Sequence, residues 1–219
     1  DRARFWPPSR HVPGESDVPA APSMRTSGAL WSLLSAALHG AAARPPDRTR
    51  DEWGGLMDLA RRCGIAGMLY PAIASLPPLR QPPPDLLTRW HRIAIQTATR
   101  EAQRFHTARR VAGALGAQGI RAVGLKGVVV RALYPQPDLR TMGDVDLLIR
   151  PEDLAAAGRV LEREGLRRIS AQENLENWWN PTGTLFEIHH RLFVPRARVR
   201  GDEEIEEGLR ARAGPSGAA

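Results

Sequence analysis

The chain has 219 residues, enough for one medium domain or two small ones, and its 42% hydrophobic content allows a core in its middle and C-terminal parts. A single cysteine, Cys63, excludes an intrachain disulfide and a cysteine-rich zinc site, and fits a reducing, cytoplasmic setting. The formal net charge is +7, yet thirty of the thirty-one basic residues are scattered arginines, so the excess reads first as composition and only second as affinity for polyanions.

Residues 1–27 are rich in Pro, Ser, Arg and Asp without apolar periodicity and are expected to be disordered. From Met24 onward the chain has two readings. One is a signal-like segment with a basic start and an apolar run. The other, which is favoured, is an amphipathic helix capped by Ser27, with Leu30, Leu33, Leu34, Ala37 and Leu38 on one face. No run of about 18 apolar residues occurs, so no membrane partner is expected. Helical patterns follow over 51–62 and 65–75, separated by Gly64. After the prolines at 77, 78, 82, 83 and 84, a long helix is predicted over 85–118. Leu86, Leu87, Trp90, Ile93, Ile95, Ala98, Ala102, Phe105, Ala108 and Val111 lie near its buried side, and His91 and His106 on its surface. Residues 28–118 thus form a helical unit in which nothing looks catalytic.

The texture changes at Gly119. Strands are predicted over 120–124, 144–149, 166–170 and 184–192, with helices over 126–134 and 152–164. Pro151 and Gly165 bound the second of these helices. Trp178 and Trp179 read as a loop before the last strand, free either to stack on a base or to pack. This alternation predicts an α+β domain with a mixed sheet over 119–200. A final helix over 201–213 and a frayed tail complete the 201–219 segment.

Chemistry concentrates at three places. In Gly143-Asp144-Val145-Asp146, strand alternation aims both aspartates one way and Val145 the other. Two adjacent carboxylates repel unless a cation joins them, and oxygen-rich sites suit Mg²⁺ or Mn²⁺. In Phe186-Glu187-Ile188-His189, Glu187 and His189 share a face. If this strand lies beside the first, Glu187 becomes a third carboxylate, the equipment for a pair of metals roughly 3.5–4 Å apart. Finally, Gly124-Leu125-Lys126-Gly127 joins a strand to a helix, a junction that binds phosphate, and Lys126 is the only lysine in the chain. The spacing is not that of a Walker A loop.

The run LKGVVVRALYPQPDLRTMGDVDLLIRPEDLAAAGRVLEREGL, with FEIHHRLF after it, closely resembles the bacterial uncharacterised nucleotidyltransferase family of the DNA polymerase β-like superfamily. The resemblance covers about residues 85–195 well. It implies a minimal nucleotidyltransferase fold and the transfer of a nucleoside monophosphate from an NTP, with ATP expected, to an acceptor hydroxyl. It implies Asp144, Asp146 and Glu187 as catalytic metal ligands. Gly124, Lys126, Gly127, Arg140, Gly143 and His189 would form the nucleotide site, with Lys126 and Arg140 meeting phosphate. Where this superfamily usually has Gly-Ser, the chain has Lys126-Gly127. Tyr134 and Pro135 are expected to close the helix. The acceptor, a small molecule, peptide or protein, is not legible. Other readings are a phosphotransferase of the same fold that tailors a peptide or small molecule, an antitoxin-like modifier of a partner protein, and a non-catalytic RNA-binding module. The intact acidic triad argues against the last, so nucleic acid is not the favoured partner.

Overall fold

The computed structural model describes residues 24–40, 42–45, 47–192 and 202–212. The expected disorder of residues 1–23 and the tail after 212 lie outside them. Among the described residues, four α-helices precede the sheet: α1 (Met24–His39), α2 (Arg50–Arg62), α3 (Ala66–Ala74) and α4 (Pro84–Gly116). Residues 24–27 are the first turn of α1, so Ser27 is inside the helix and is not its cap. The helix carries the expected apolar face: Leu33 is fully buried, and Leu30, Leu34 and Ala37 pack around it against the other helices. A capping box starts α2, with Thr49 accepting from Glu52 N–H and the Glu52 carboxylate accepting from Thr49 N–H.

The 33-residue α4 is about 50 Å long at 1.5 Å per residue. Its first half joins a cluster of α1, α2 and α3 around Trp53, Leu56, Leu69 and Trp90. Its second half, through Ala108, Val111 and Leu115, joins a second cluster built on the sheet. Ile95 is 55% exposed and Ala102 is also exposed, contrary to expectation. The buried stripe runs instead through Ala94, Thr97 and Glu101. Small and polar residues hold it because α3 approaches closely there: a Cβ on Gly67 would lie 2.9 Å from that of Thr97.

Five strands form one sheet in the order β1-β2-β5-β4-β3. They are β1 (Val123–Leu125), β2 (Asp144–Leu148), β3 (Arg167–Ala171), β4 (Leu175–Asn180) and β5 (Thr184–His189). Only β2 and β5 are parallel; the other pairs are antiparallel, which makes the sheet mixed. Helix α6 (Leu154–Arg163) packs with α4 on the face of Val145, Leu147, Phe186, Trp178 and Ile188. The last described helix is α7 (Asp202–Arg212). No helix among the described residues is long and apolar enough to cross a membrane.

Three local expectations are corrected. The first strand begins at Val123 and not at 120, because it pairs with only three residues of β2. The predicted helix over 126–134 is a single turn, α5 (Gly127–Val130), followed by a 3₁₀ turn over Arg131–Leu133. Three consecutive β-branched valines and the Tyr134-Pro135 step disfavour its continuation. Trp178 and Trp179 lie in β4, not in a loop. The hairpin behind them is closed by Asn180, whose side chain accepts from Thr182 N–H, and by Gly183 at φ +93°.

Candidate active site

The face of β2 and β5 opposite α4 and α6 carries the polar residues. The parallel register sets Asp146 beside Glu187 and Leu148 beside His189. Alternation along each strand then puts Asp144, Asp146, Glu187 and His189 on one face, with Val145, Phe186 and Ile188 on the other. Antiparallel β1 places Leu125 against Asp146, so the next residue, Lys126, turns over the pair. The Lys126 ammonium donates to Asp146 Oδ1 at 2.5 Å and lies 3.9 Å from Glu187 Oε2. His189 Nε2 stands 3.0 Å from Asp146 Oδ1 and 3.4 Å from Glu187 Oε2.

Asp146 is 1% exposed. Burial opposes its ionisation, but hydrogen bonds from His189 and Lys126 outweigh it and hold the carboxyl below its ordinary range. Burial pushes the Glu187 carboxyl up, reinforced by the charges of Asp144 and Asp146. The hydrogen bond to Asp146 raises Lys126, which keeps it cationic. Asp144 is half-buried, and its charge acts on both Glu187 and Lys126.

The donor set fits a divalent cation. Ligand atoms of Asp146, Glu187 and His189 all lie within 4.8 Å of one another, while Asp144 falls outside this group. Asp146 Oδ2 is buried without a hydrogen-bond partner. A buried, ionised oxygen left unpaired is costly, and a cation would satisfy it.

Beside this group lies the Lys126-Gly127 turn. Lys126 adopts φ +47°, the only positive φ outside glycine among the described residues. As α5 has one turn, its dipole is small, and positive charge at this junction must come from side chains. Arg140 supplies it. Its Nη1 lies 3.4 Å from where a Cβ on Gly127 would stand, and both Nε and Nη1 are buried without partners. The guanidinium also rests 5.3 Å from the Tyr134 ring centroid. Gly124 pairs with Leu147 within the sheet, and a Cβ on it would meet the Val128 and Val129 side chains at 3.4 Å, whereas the space around Gly143 is open.

Two features escaped the sequence. Asn177 lies beside Glu187 in register, with Oδ1 buried and unpartnered. Trp179, which the sequence already offered for stacking or packing, lies beside Leu185 on the same face, whereas Trp178 faces the core. The second feature is a clamp from α4 on the segment that enters β2. Glu101, fully buried, accepts from Met142 N–H at 3.2 Å and from Arg104 Nη1 at 2.8 Å. Arg104 Nη1 also donates to the Met142 carbonyl. An acidic residue three positions before an arginine on a helix resembles an ordinary surface pair, and only a contact 41 residues away distinguishes it.

Comparison with known proteins gives one family: a model described as "Uncharacterised nucleotidyltransferase" matches residues 49–217. No curated protein and no solved structure matches the chain.

Proposed function

The chain belongs to this uncharacterised nucleotidyltransferase family, and we propose that it transfers a nucleoside monophosphate from ATP to an acceptor hydroxyl at the Asp146–Glu187–His189 group. The observation that supports this most is the buried, unpartnered Asp146 Oδ2 within a cluster of three metal-donor groups. Asp146, Glu187 and His189 would hold a divalent ion, with Asp144 beside them as a further carboxylate. The nitrogen of His189 in the set favours Mn²⁺ over Mg²⁺, which prefers oxygen ligands. Such ions, when bound, neutralise phosphate charge and align the attacking and leaving oxygens.

The protein's own residues then have separate tasks. Lys126, whose ammonium would be repelled by a cation held on Asp146, would turn to the triphosphate. Arg140, whose buried Nε and Nη1 lack hydrogen-bond partners beside Gly127, would turn its guanidinium to the same phosphates. Trp179 and Leu185 provide an apolar surface on the site face for the base. Glu187 orients the acceptor hydroxyl. The oxygen of that hydroxyl bonds to the α-phosphorus as the bond to pyrophosphate breaks and the hydroxyl proton is released. Fixed cations and carboxylates lower the barrier by meeting charge where it develops.

Incubation with ATP, Mn²⁺ and a fractionated small-molecule extract tests the reading by product mass. Products heavier by an adenylyl group, absent with Asp146→Asn, are expected. Products heavier by a single phosphoryl group would replace the reading with phosphotransfer on the same fold.

A further inference from the structure

Away from the carboxylates, α2, α3 and α4 line an open cleft of about 430 Å³. That volume lies within the range of small-molecule sites, about 300–1,000 Å³. Four arginines line it: Arg61 from the end of α2, and Arg89, Arg92 and Arg100 from α4. Together with Gln96, the three from α4 follow spacings of three, four and four residues, which makes them one helical stripe. The arginines that looked scattered in sequence are thus gathered in space. Among the described residues, no acidic one lines the cleft. None of the four forms an ion pair with a carboxylate among the described residues, although Arg50, Arg104, Arg110, Arg131 and Arg168 all do.

The four side chains are solvent-exposed, so water and salt screen their mutual repulsion, and an anion in the cleft would turn it into attraction. Guanidinium is the side chain suited to phosphate, which it meets with two parallel hydrogen bonds. The cleft's position narrows the anion further. Thr141 forms part of its wall, 4.0 Å from where a Cβ on Gly64 would stand. The neighbours of Thr141, Arg140 and Met142, instead approach Gly127. One backbone segment, 140–143, therefore has the arginine cleft on one side and the Lys126-Gly127 turn on the other, and leads directly into Asp144.

We propose that this cleft is the second-substrate site and binds the phosphate group of a phosphorylated small-molecule acceptor. The role as acceptor site rests on the nucleotidyltransferase reading above; the affinity for phosphate does not. The cleft is open to solvent on one side, but its volume of about 430 Å³ fits a small molecule, whereas a nucleic-acid strand needs an extended groove.

Calorimetry on the full chain, free of divalent metal, tests this with inorganic pyrophosphate as the probe. The Lys126→Ala/Arg140→Gln protein removes the competing cations of the nucleotide turn. In that background pyrophosphate is expected to bind still, and adding Arg92→Gln and Arg100→Gln is expected to weaken it at least tenfold. Glutamine keeps a helix propensity close to that of arginine, so the helix is retained. Affinity within twofold after the two added changes would overturn the proposal. So would a single-stranded decanucleotide that binds through the same arginines more tightly than pyrophosphate. Binding of ATP with Mn²⁺ is read in parallel on the wild type. Its absence alongside arginine-dependent pyrophosphate binding would overturn the acceptor role and leave a phosphate site.

Discussion

Replacing Glu101 with alanine should do more damage than any surface change on α4. Glu101 is fully buried and the Arg104 side chain is only 10% exposed, so the substitution leaves a buried guanidinium facing no carboxylate. It also strips the acceptor from Met142 N–H. Removing one partner of a buried pair costs about 3–5 kcal/mol. For a chain of this size each kcal/mol shifts the unfolding midpoint by about 2–4 °C, so a fall of about 6–20 °C is expected. Arg104 keeps its bond to the Met142 carbonyl, which places the loss toward the lower end. Glu101→Gln retains an acceptor for Met142 and should lose less than alanine. Removing both partners should cost less than the sum of the single changes, because no uncompensated charge remains. Urea denaturation of the wild type, Glu101→Ala, Glu101→Gln, Arg104→Ala and the Glu101→Ala/Arg104→Ala protein measures this. A loss below about 1 kcal/mol for Glu101→Ala, on the scale of an exposed pair, would refute the clamp.

Other expectations follow from the same geometry. Lys126→Gly and Lys126→Ala both remove the ammonium and should both abolish activity. The glycine variant should nevertheless be more stable by about 1–3 kcal/mol, because φ +47° is strained for alanine and free for glycine; equal stabilities would show that the turn is unstrained. Gly67→Ala should destabilise by about 1–3 kcal/mol, since its Cβ would meet the Thr97 side chain at 2.8 Å, and an unchanged denaturation midpoint would contradict this. The pH dependence at Glu187 has a definite sign. Its folded carboxyl titrates above the ordinary 4.5, raised by burial and by Asp144 and Asp146, so its ionisation disfavours the metal-free fold. Glu187→Gln should therefore raise the unfolding midpoint of the metal-free protein at neutral pH. The gain should vanish as pH falls through the raised value toward 4.5, and a gain that persists in acid would contradict the cause assigned.

Much of the site's scaffold was legible because strands report their faces in sequence. Alternation put Asp144 and Asp146 together, and Glu187 with His189, and the parallel register of β2 and β5 then set Asp146 beside Glu187. The family resemblance rested on the same residues. What was missed depends on contacts that sequence spacing does not carry. In β4, Asn177 and Asn180 are poor strand formers, and their presence hid an alternation that the structure shows as half-buried and buried residues in turn. The Asn-Pro-Thr-Gly turn was the signal that would have revealed the hairpin. Helix α5 was overlong in prediction because valine fits a helical pattern while its branched side chain weakens a short helix. The arginine cleft needed α2 and α4 brought together, and Glu101 needed Met142.

Mn²⁺ binding by the wild type and by Asp146→Asn, titrated by calorimetry with and without ATP, tests the central claim most directly. The wild type should bind Mn²⁺ more tightly with ATP present, as both would share the ion, and Asp146→Asn should lose both the binding and the enhancement. Equal Mn²⁺ and ATP affinities in the two proteins would contradict the assignment of Asp146 as the centre of the site.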